Sequence, residues 1–114
     1  MRPVVAAAGV FLAAASIPAA VPVAAQDIMA GRGLAGRQCA ACHGQNGIAV
    51  LPEAANLAGQ DATYLTRQLE AFRGGERVNE QMSIVAKALT DPQIANLAAF
   101  YNAIRIEVVT PPED

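Results

Sequence analysis

The strongest constraint on this chain is five residues long. Cys39-Ala40-Ala41-Cys42-His43, followed at once by Gly44, sets two thiols three residues apart with an imidazole directly behind the second. That order and spacing is the attachment sequence for a c-type haem. Each thiol adds across one haem vinyl group to make a thioether, and the short Ala-Ala bridge lets both sulfurs reach one porphyrin edge. His43 then stands where its ring can offer a nitrogen to the iron. A chain carrying this pentapeptide has to fold around a large, flat, apolar cofactor.

Two other uses of the cysteines compete. An exported chain with two cysteines fits one disulfide, but a Cys39–Cys42 bridge exists only as the tight loop of a thioredoxin-type redox motif. That motif sits at a strand-to-helix junction, and no β-rich alternating stretch precedes this one. A zinc site needs four ligands, and the sequence has no second Cys or His pair. One covalent haem c is the expected cofactor, held by Cys39 and Cys42.

Composition matters mainly at the N-terminus. The chain is 54% hydrophobic and 16% charged, and much of the apolar content lies at the front. Arg2 precedes an uncharged apolar run over residues 4–15, then Ser16-Ile17-Pro18, then an Ala/Val/Pro stretch ending in Val23-Ala24-Ala25. This reads as a secretory signal cut between Ala25 and Gln26. The alternative is an uncleaved anchor, although Pro18 and Pro22 shorten the helical part below the roughly 20 residues a span needs. The expected organisation is a cleaved signal peptide over 1–25 and one haem domain over 26–114, with a loose tail from about Val108. Periplasmic localisation follows, without stable membrane insertion. Losing Arg2 makes the net charge of −2 more negative still, and Lys87 is the single lysine. Nucleic-acid or anionic-membrane binding has no electrostatic support. A domain this small buries a modest share of its surface, so a central cofactor would complete its core.

Asp27 to Gln38 reads as the first helix, with Asp27 in the capping turn and Ile28, Leu34 and Ala35 as its apolar positions. Gly31 and Gly33 weaken it, and a glycine kept inside a helix either marks a close approach by another element or simply frays. Gln45-Asn46-Gly47 is a turn signal, and an aperiodic loop containing Pro52 follows. Asp61 caps the next helix, whose Tyr64, Leu65, Gln68, Leu69 and Phe72 recur at helical spacing until Gly74-Gly75 ends it. Residues 83–89 suit a short helix through Ile84, Val85 and Leu89. The last helix has the clearest start: Thr90 and Gln93 form a capping box around Asp91 and Pro92. Its expected buried face is Ile94, Leu97, Ala98, Tyr101 and Ile104. An aromatic from it, Phe100 or Tyr101, would pack against Gly31.

The remaining site residues follow from what a haem requires. The ring nitrogen of His43 that does not bind iron needs an acceptor to fix its orientation, and a backbone carbonyl between Pro52 and Ala55 is the candidate. For the second axial ligand there is no other histidine. Met1 leaves with the signal, and Met29 is too close to Cys39 along a rigid helix to reach the far face. Met82 lies far enough downstream to wrap around the ring, in a polar, loop-like segment, and His/Met is a standard c-type pairing. Lys87 is the distant second choice. Arg67, Arg73 and Arg77 are surface residues by default, with Arg77 best placed to approach a haem propionate.

With these parts in place, residues 27 to about 106 resemble a class I c-type cytochrome of the small bacterial electron-carrier kind, close to single domains of the di-haem periplasmic cytochromes. The matching stretches are Cys39-Ala-Ala-Cys42-His43-Gly44, Leu57-Ala-Gly-Gln60, Tyr64-Leu65 with Gln68-Leu69, Met82 with Ile84-Val85-Ala86-Lys87-Ala88-Leu89, and Leu97-Ala-Ala-Phe100-Tyr101. The resemblance implies an all-α cytochrome c fold. Three to five helices would wrap one haem, the first and last crossing near Gly31, with His43 and Met82 as axial ligands. In one departure, relatives usually carry a second proline where Ala55 stands. Alanine keeps the carbonyl with less stiffness.

A His/Met haem leaves no open position, which favours a non-catalytic carrier using the Fe(III)/Fe(II) couple. The expected function is periplasmic shuttling of single electrons between respiratory redox partners that dock transiently at the haem edge. The alternatives are a haem c subunit of a larger oxidoreductase, or a haem enzyme or gas sensor with a labile sixth ligand.

Overall fold

The computed structural model describes residues 25–113, together with Pro3. The expected signal peptide lies outside the described residues except at Pro3 and Ala25. Five helices and no strand occur among the described residues: α1 (Ile28–Gln38), α2 (Ala40–His43), α3 (Ala62–Gly74), α4 (Met82–Lys87) and α5 (Asp91–Ala103). None is long and apolar enough to cross a membrane.

Each long helix starts where a side chain can satisfy its free N–H groups. The Asp27 carboxylate accepts from Ala30 N at 2.9 Å, and that of Asp61 from Tyr64 N at 2.8 Å. Thr90 and Gln93 form the reciprocal box, Thr90 N donating to Gln93 Oε1 at 2.9 Å and Gln93 N to Thr90 Oγ1 at 3.4 Å. At the other end, α3 stops at Gly75.

α1 and α5 cross at Gly31, which is buried. A Cβ there would run into the carbonyl oxygen of Asn96 and come within 3.0 Å of Phe100 Cβ. The crossing is expected from the sequence, but Gly31 makes room chiefly for the backbone of Asn96 and not for an aromatic ring. Asn96 also accepts a bond from Asp27 N through Oδ1 at 2.8 Å, pinning the start of α1 to α5. Around this crossing pack Leu34, Ala35, Leu65, Leu89, Ile94, Leu97, Ala98, Phe100 and Tyr101.

Three sequence expectations change. Ile28 and Ile84 face solvent, 45% and 72% exposed, so neither supports a core. Ile104 lies past the end of α5 and is half-buried. Met82 opens α4 instead of standing in a loop, so the short helix begins one residue early and ends at Lys87. From Ile104 to Glu113 the chain has no regular secondary structure.

Arg73 ties α3 to the start of α5. Its guanidinium pairs with the Asp91 carboxylate at 2.6 Å and donates to Leu89 O at 3.1 Å. These bonds hold the α4–α5 connection against α3.

Candidate functional site

The helices leave a cleft of about 710 Å³ between α3, α5 and the two segments flanking α3. Its floor is Leu97, Ala98 and Tyr101 of α5. The stripe read from the sequence, Tyr64, Leu65, Gln68, Leu69 and Phe72, forms one wall of α3. Cys39, Cys42 and His43 line it together with residues 51–57, and the segment 77–82 closes it with Met82, Val85 and Leu89. Every residue expected to serve the cofactor therefore meets in this one space: Cys39, Cys42, His43, Pro52, Ala55, Arg77 and Met82. Lys87 is exposed and absent from the lining. Met29 is 69% exposed on α1.

Cys39 and Cys42 are free, half-buried thiols. They sit at the junction of α1 and α2, where the chain turns after Gln38 and puts both on the cleft side. Burial pushes the Cys39 thiol above its ordinary pKa, and the Tyr101 hydroxyl beside it pulls the other way. No cluster of His, Cys, Asp or Glu fit for a bare metal ion occurs among the described residues.

His43 is fixed by its neighbours. Its Nδ1 lies 2.7 Å from the carbonyl oxygen of Ala55. A carbonyl can only accept, so Nδ1 carries the proton, and in the neutral ring Nε2 keeps a free lone pair. Within the expected window from Pro52 to Ala55, the acceptor is Ala55; Pro52 lines the cleft. The loop that delivers Ala55 is laced to the backbone on either side of the histidine and to α5. Cys42 O accepts from Val50 N at 3.0 Å, and Gly47 O from Leu57 N at 2.7 Å and Ala58 N at 3.0 Å. Asn56 Oδ1 accepts from Ala49 N at 2.8 Å, and Gly59 N donates to Tyr101 O at 2.9 Å. Gly44 makes the first turn of this loop with φ +76°, and a Cβ there would strike the carbonyl of Ile48.

The opposite segment carries Arg77, whose guanidinium lies over the Phe72 ring at 4.6 Å and donates to Gln68 Oε1 at 2.6 Å. The cation is held at the cleft rim by an aromatic face and an amide. Sequence reasoning missed Asn79. Its Oδ1 accepts from Gln81 N at 3.1 Å and Met82 N at 2.9 Å, and its own N–H donates to Ser83 Oγ at 3.1 Å. An Asn four residues before a Ser at a helix start is the signal that could have found it.

The residues present fit a covalently held haem. The cleft volume falls within the range of about 300–1,000 Å³ usual for cofactor sites, and the α3 wall and α5 floor are largely apolar. Two thiols and an oriented imidazole stand at one side and a thioether at another. Tyr101 adds an independent sign. Its hydroxyl is fully enclosed yet lacks a well-formed hydrogen bond, with the Cys39 thiol as its polar neighbour. Burial first, then the charge and hydrogen bonding of Cys39, hold the phenol well above its usual pKa. An enclosed polar atom without a partner at the floor of a cleft marks an environment completed by another group.

An all-helical chain folded around such a cleft, with a Cys-x-x-Cys-His segment and a methionine in its lining, has the build of a class I c-type cytochrome domain. The sequence profile of the family described as Cytochrome c matches residues 28–103, and the chain belongs to that family. The cofactor the family implies is covalent haem c. The chain is 43% identical over 75 residues to cytochrome c4 of Thiocapsa roseopersicina, covering 66% of this chain and 38% of that protein. It is 41% identical over 68 residues to cytochrome c-554(548) of Halomonas halodenitrificans, covering 57% of this chain and 82% of that one. The crystal structure of reduced recombinant cytochrome c4 from Pseudomonas stutzeri superposes with a TM-score of 0.64 at 30% identity, over 68% of this chain and 48% of that one. The chain thus spans about half or less of the cytochromes c4 it matches and most of the shorter relative.

Proposed function

We propose that this chain is a periplasmic electron carrier, passing single electrons between redox proteins that dock transiently at its haem edge. The haem, attached through Cys39 and Cys42, supplies the reversible Fe(III)/Fe(II) couple when bound. His43 and Met82 would hold its iron. The observation that carries the reading is the bond from His43 Nδ1 to Ala55 O: it leaves the Nε2 lone pair free and keeps the ring at the cleft that Met82 also lines.

The other residues orient, neutralise and exclude water. Leu65, Leu69 and Phe72 offer an apolar wall to the flat face, and Arg77 offers a fixed positive charge for a propionate at the rim. With His43 and Met82 both holding the iron, no position would be left for a substrate, and the chain would carry electrons without catalysing a reaction of its own. Its slight acidity predicts association with basic or neutral partner surfaces that slackens as salt rises.

Carbon monoxide tests the reading. The reduced protein is expected not to bind it, whereas Met82→Ala, with the sixth position open, binds it readily while keeping the haem. Rapid binding by the unaltered protein would overturn the carrier reading in favour of a sensor or enzyme. Size-exclusion of a native extract separates a free carrier from a subunit: elution as a small monomer is expected, and co-elution with a large complex assigns the chain to an oxidoreductase assembly.

A further inference from the structure

We propose that Asn79, closed into a ring with Ser83, is the residue that positions Met82 over the cleft. The inference rests on Met82 being the sixth ligand and says what holds it there. α4 has six residues, and its N-cap residue Gln81 contributes no side-chain bond. A helix so short does not hold itself. The N–H groups at its head are instead taken by the Asn79 side chain. Asn79 Oδ1 takes both Gln81 N and Met82 N, while Ser83 Oγ takes Asn79 N and Ser83 N returns to Asn79 O at 2.9 Å. The backbone of Met82 is thus locked inside a five-residue ring. Between the anchored Arg77 and the ring, Val78 is 82% exposed, and within the ring Glu80 is exposed; Gln81 Oε1 lies 3.9 Å from Cys42 Sγ of the haem-attachment segment.

Asn79 is itself exposed, so replacing it disturbs little of the core. Without its side-chain oxygen, two N–H groups at the head of α4 lose their acceptor, and Met82 spends more time swung away. A competing ligand reads that population directly, because its apparent affinity scales with the fraction of protein whose sixth position is free.

The experiment is an imidazole titration of the ferric, haem-loaded protein. Asn79→Ala is expected to bind imidazole about fivefold more tightly or better, as loss of a capping oxygen predicts. Asn79→Asp, which keeps the acceptor, should stay within about twofold of the unaltered protein. Thr90→Ala removes a comparable cap from α5 and should also stay within about twofold, which separates positioning from general loss of stability. If Asn79→Ala does not yield folded protein, Ser83→Ala decides, with an expected increase of about two- to fivefold. A change below about twofold in the deciding variant overturns the proposal. The methionine methyl resonances of the unaltered reduced protein separate the two readings. Strong ring-current shifts with an unmoved variant sink Asn79 alone, and their absence sinks Met82 as ligand and Asn79 with it.

Discussion

His43 and Met82 face the same cleft, but the chain holds them by opposite means. The histidine is tied to distant parts of the fold: Ala55 O takes its ring, Val50 N takes the carbonyl of its neighbour Cys42, and Gly59 joins the loop to the backbone of α5. The methionine is held by a ring of bonds spanning five consecutive residues. Opening the first arrangement requires unmaking tertiary structure, whereas opening the second requires only a local step, which is where low-cost motions concentrate. A ligand exchanged or released during the life of such a protein would be the methionine.

The largest break expected is on the histidine side. Gly44 combines a φ of +76° with an approach to the Ile48 carbonyl that leaves no room for a side chain. Gly44→Val should cost about 3 kcal/mol or more, strain and overpacking together, read as a fall in the urea midpoint and in the yield of haem-loaded protein. Gly31→Val should cost a similar amount, because the new side chain meets the Asn96 backbone and 3.0 Å from Phe100 Cβ there is little give; helix propensity alone predicts under about 1 kcal/mol. Ser83→Ala on the methionine side should cost about 1 kcal/mol at most. Losses of equal size at Gly44 and Ser83 would erase the distinction between the two sides.

Much of this was legible in the sequence because it is local. The caps at Asp27, Asp61 and Thr90 are read from one residue and the turn after it, and the α3 stripe from a single helical period. The pentapeptide names its cofactor by spacing alone. What escaped is non-local or aperiodic. Arg73 reads as a surface cation, and its pairing with Asp91 depends on where α5 begins relative to α3. Ile84 reads as core because it is apolar, yet in so short a helix the buried position falls to Ala86. The Asn79–Ser83 ring has no apolar pattern to announce it. That Gly31 accommodates a carbonyl oxygen could not be foreseen from the aromatic residues next along α5.

A smaller change sharpens the comparison in the other direction. Ala55 gives His43 its acceptor, and its own N–H makes no backbone bond among the described residues. Ala55→Pro therefore removes no bond and stiffens the loop that aims the histidine. The expected gain is about 0.4–1 kcal/mol, by reducing the freedom of the unfolded chain, measured by urea unfolding of the haem-loaded protein. Imidazole affinity should not change, since the methionine side is untouched. A loss of stability would mean that the backbone before the histidine's acceptor is not extended as proline demands, and that the histidine side relies on a conformation only a smaller residue supplies.

The effect smallest at neutral pH concerns the unpaired hydroxyl beneath the histidine side. Tyr101 is 3% exposed, and a Cβ on Gly47 of the histidine loop would come within 3.0 Å of its ring. Burial raises its pKa above the ordinary value of 10.0. In the haem-loaded protein Cys39 is a thioether without a proton, so burial remains the operative cause. The sign follows: the folded state holds the phenol neutral, while the unfolded chain releases its proton near pH 10. The contribution is complete below that pH and lost as pH rises through the gap between the two values. Tyr101→Phe should change stability little at neutral pH, because an enclosed hydroxyl without a good partner contributes little. As pH rises above about 10, the stability of the variant should fall less steeply than that of the unaltered protein. Urea unfolding of both proteins across that range measures the difference. Parallel curves would place the Tyr101 hydroxyl in contact with water in the loaded protein, and the floor of the cleft would then be less tightly closed than its histidine side.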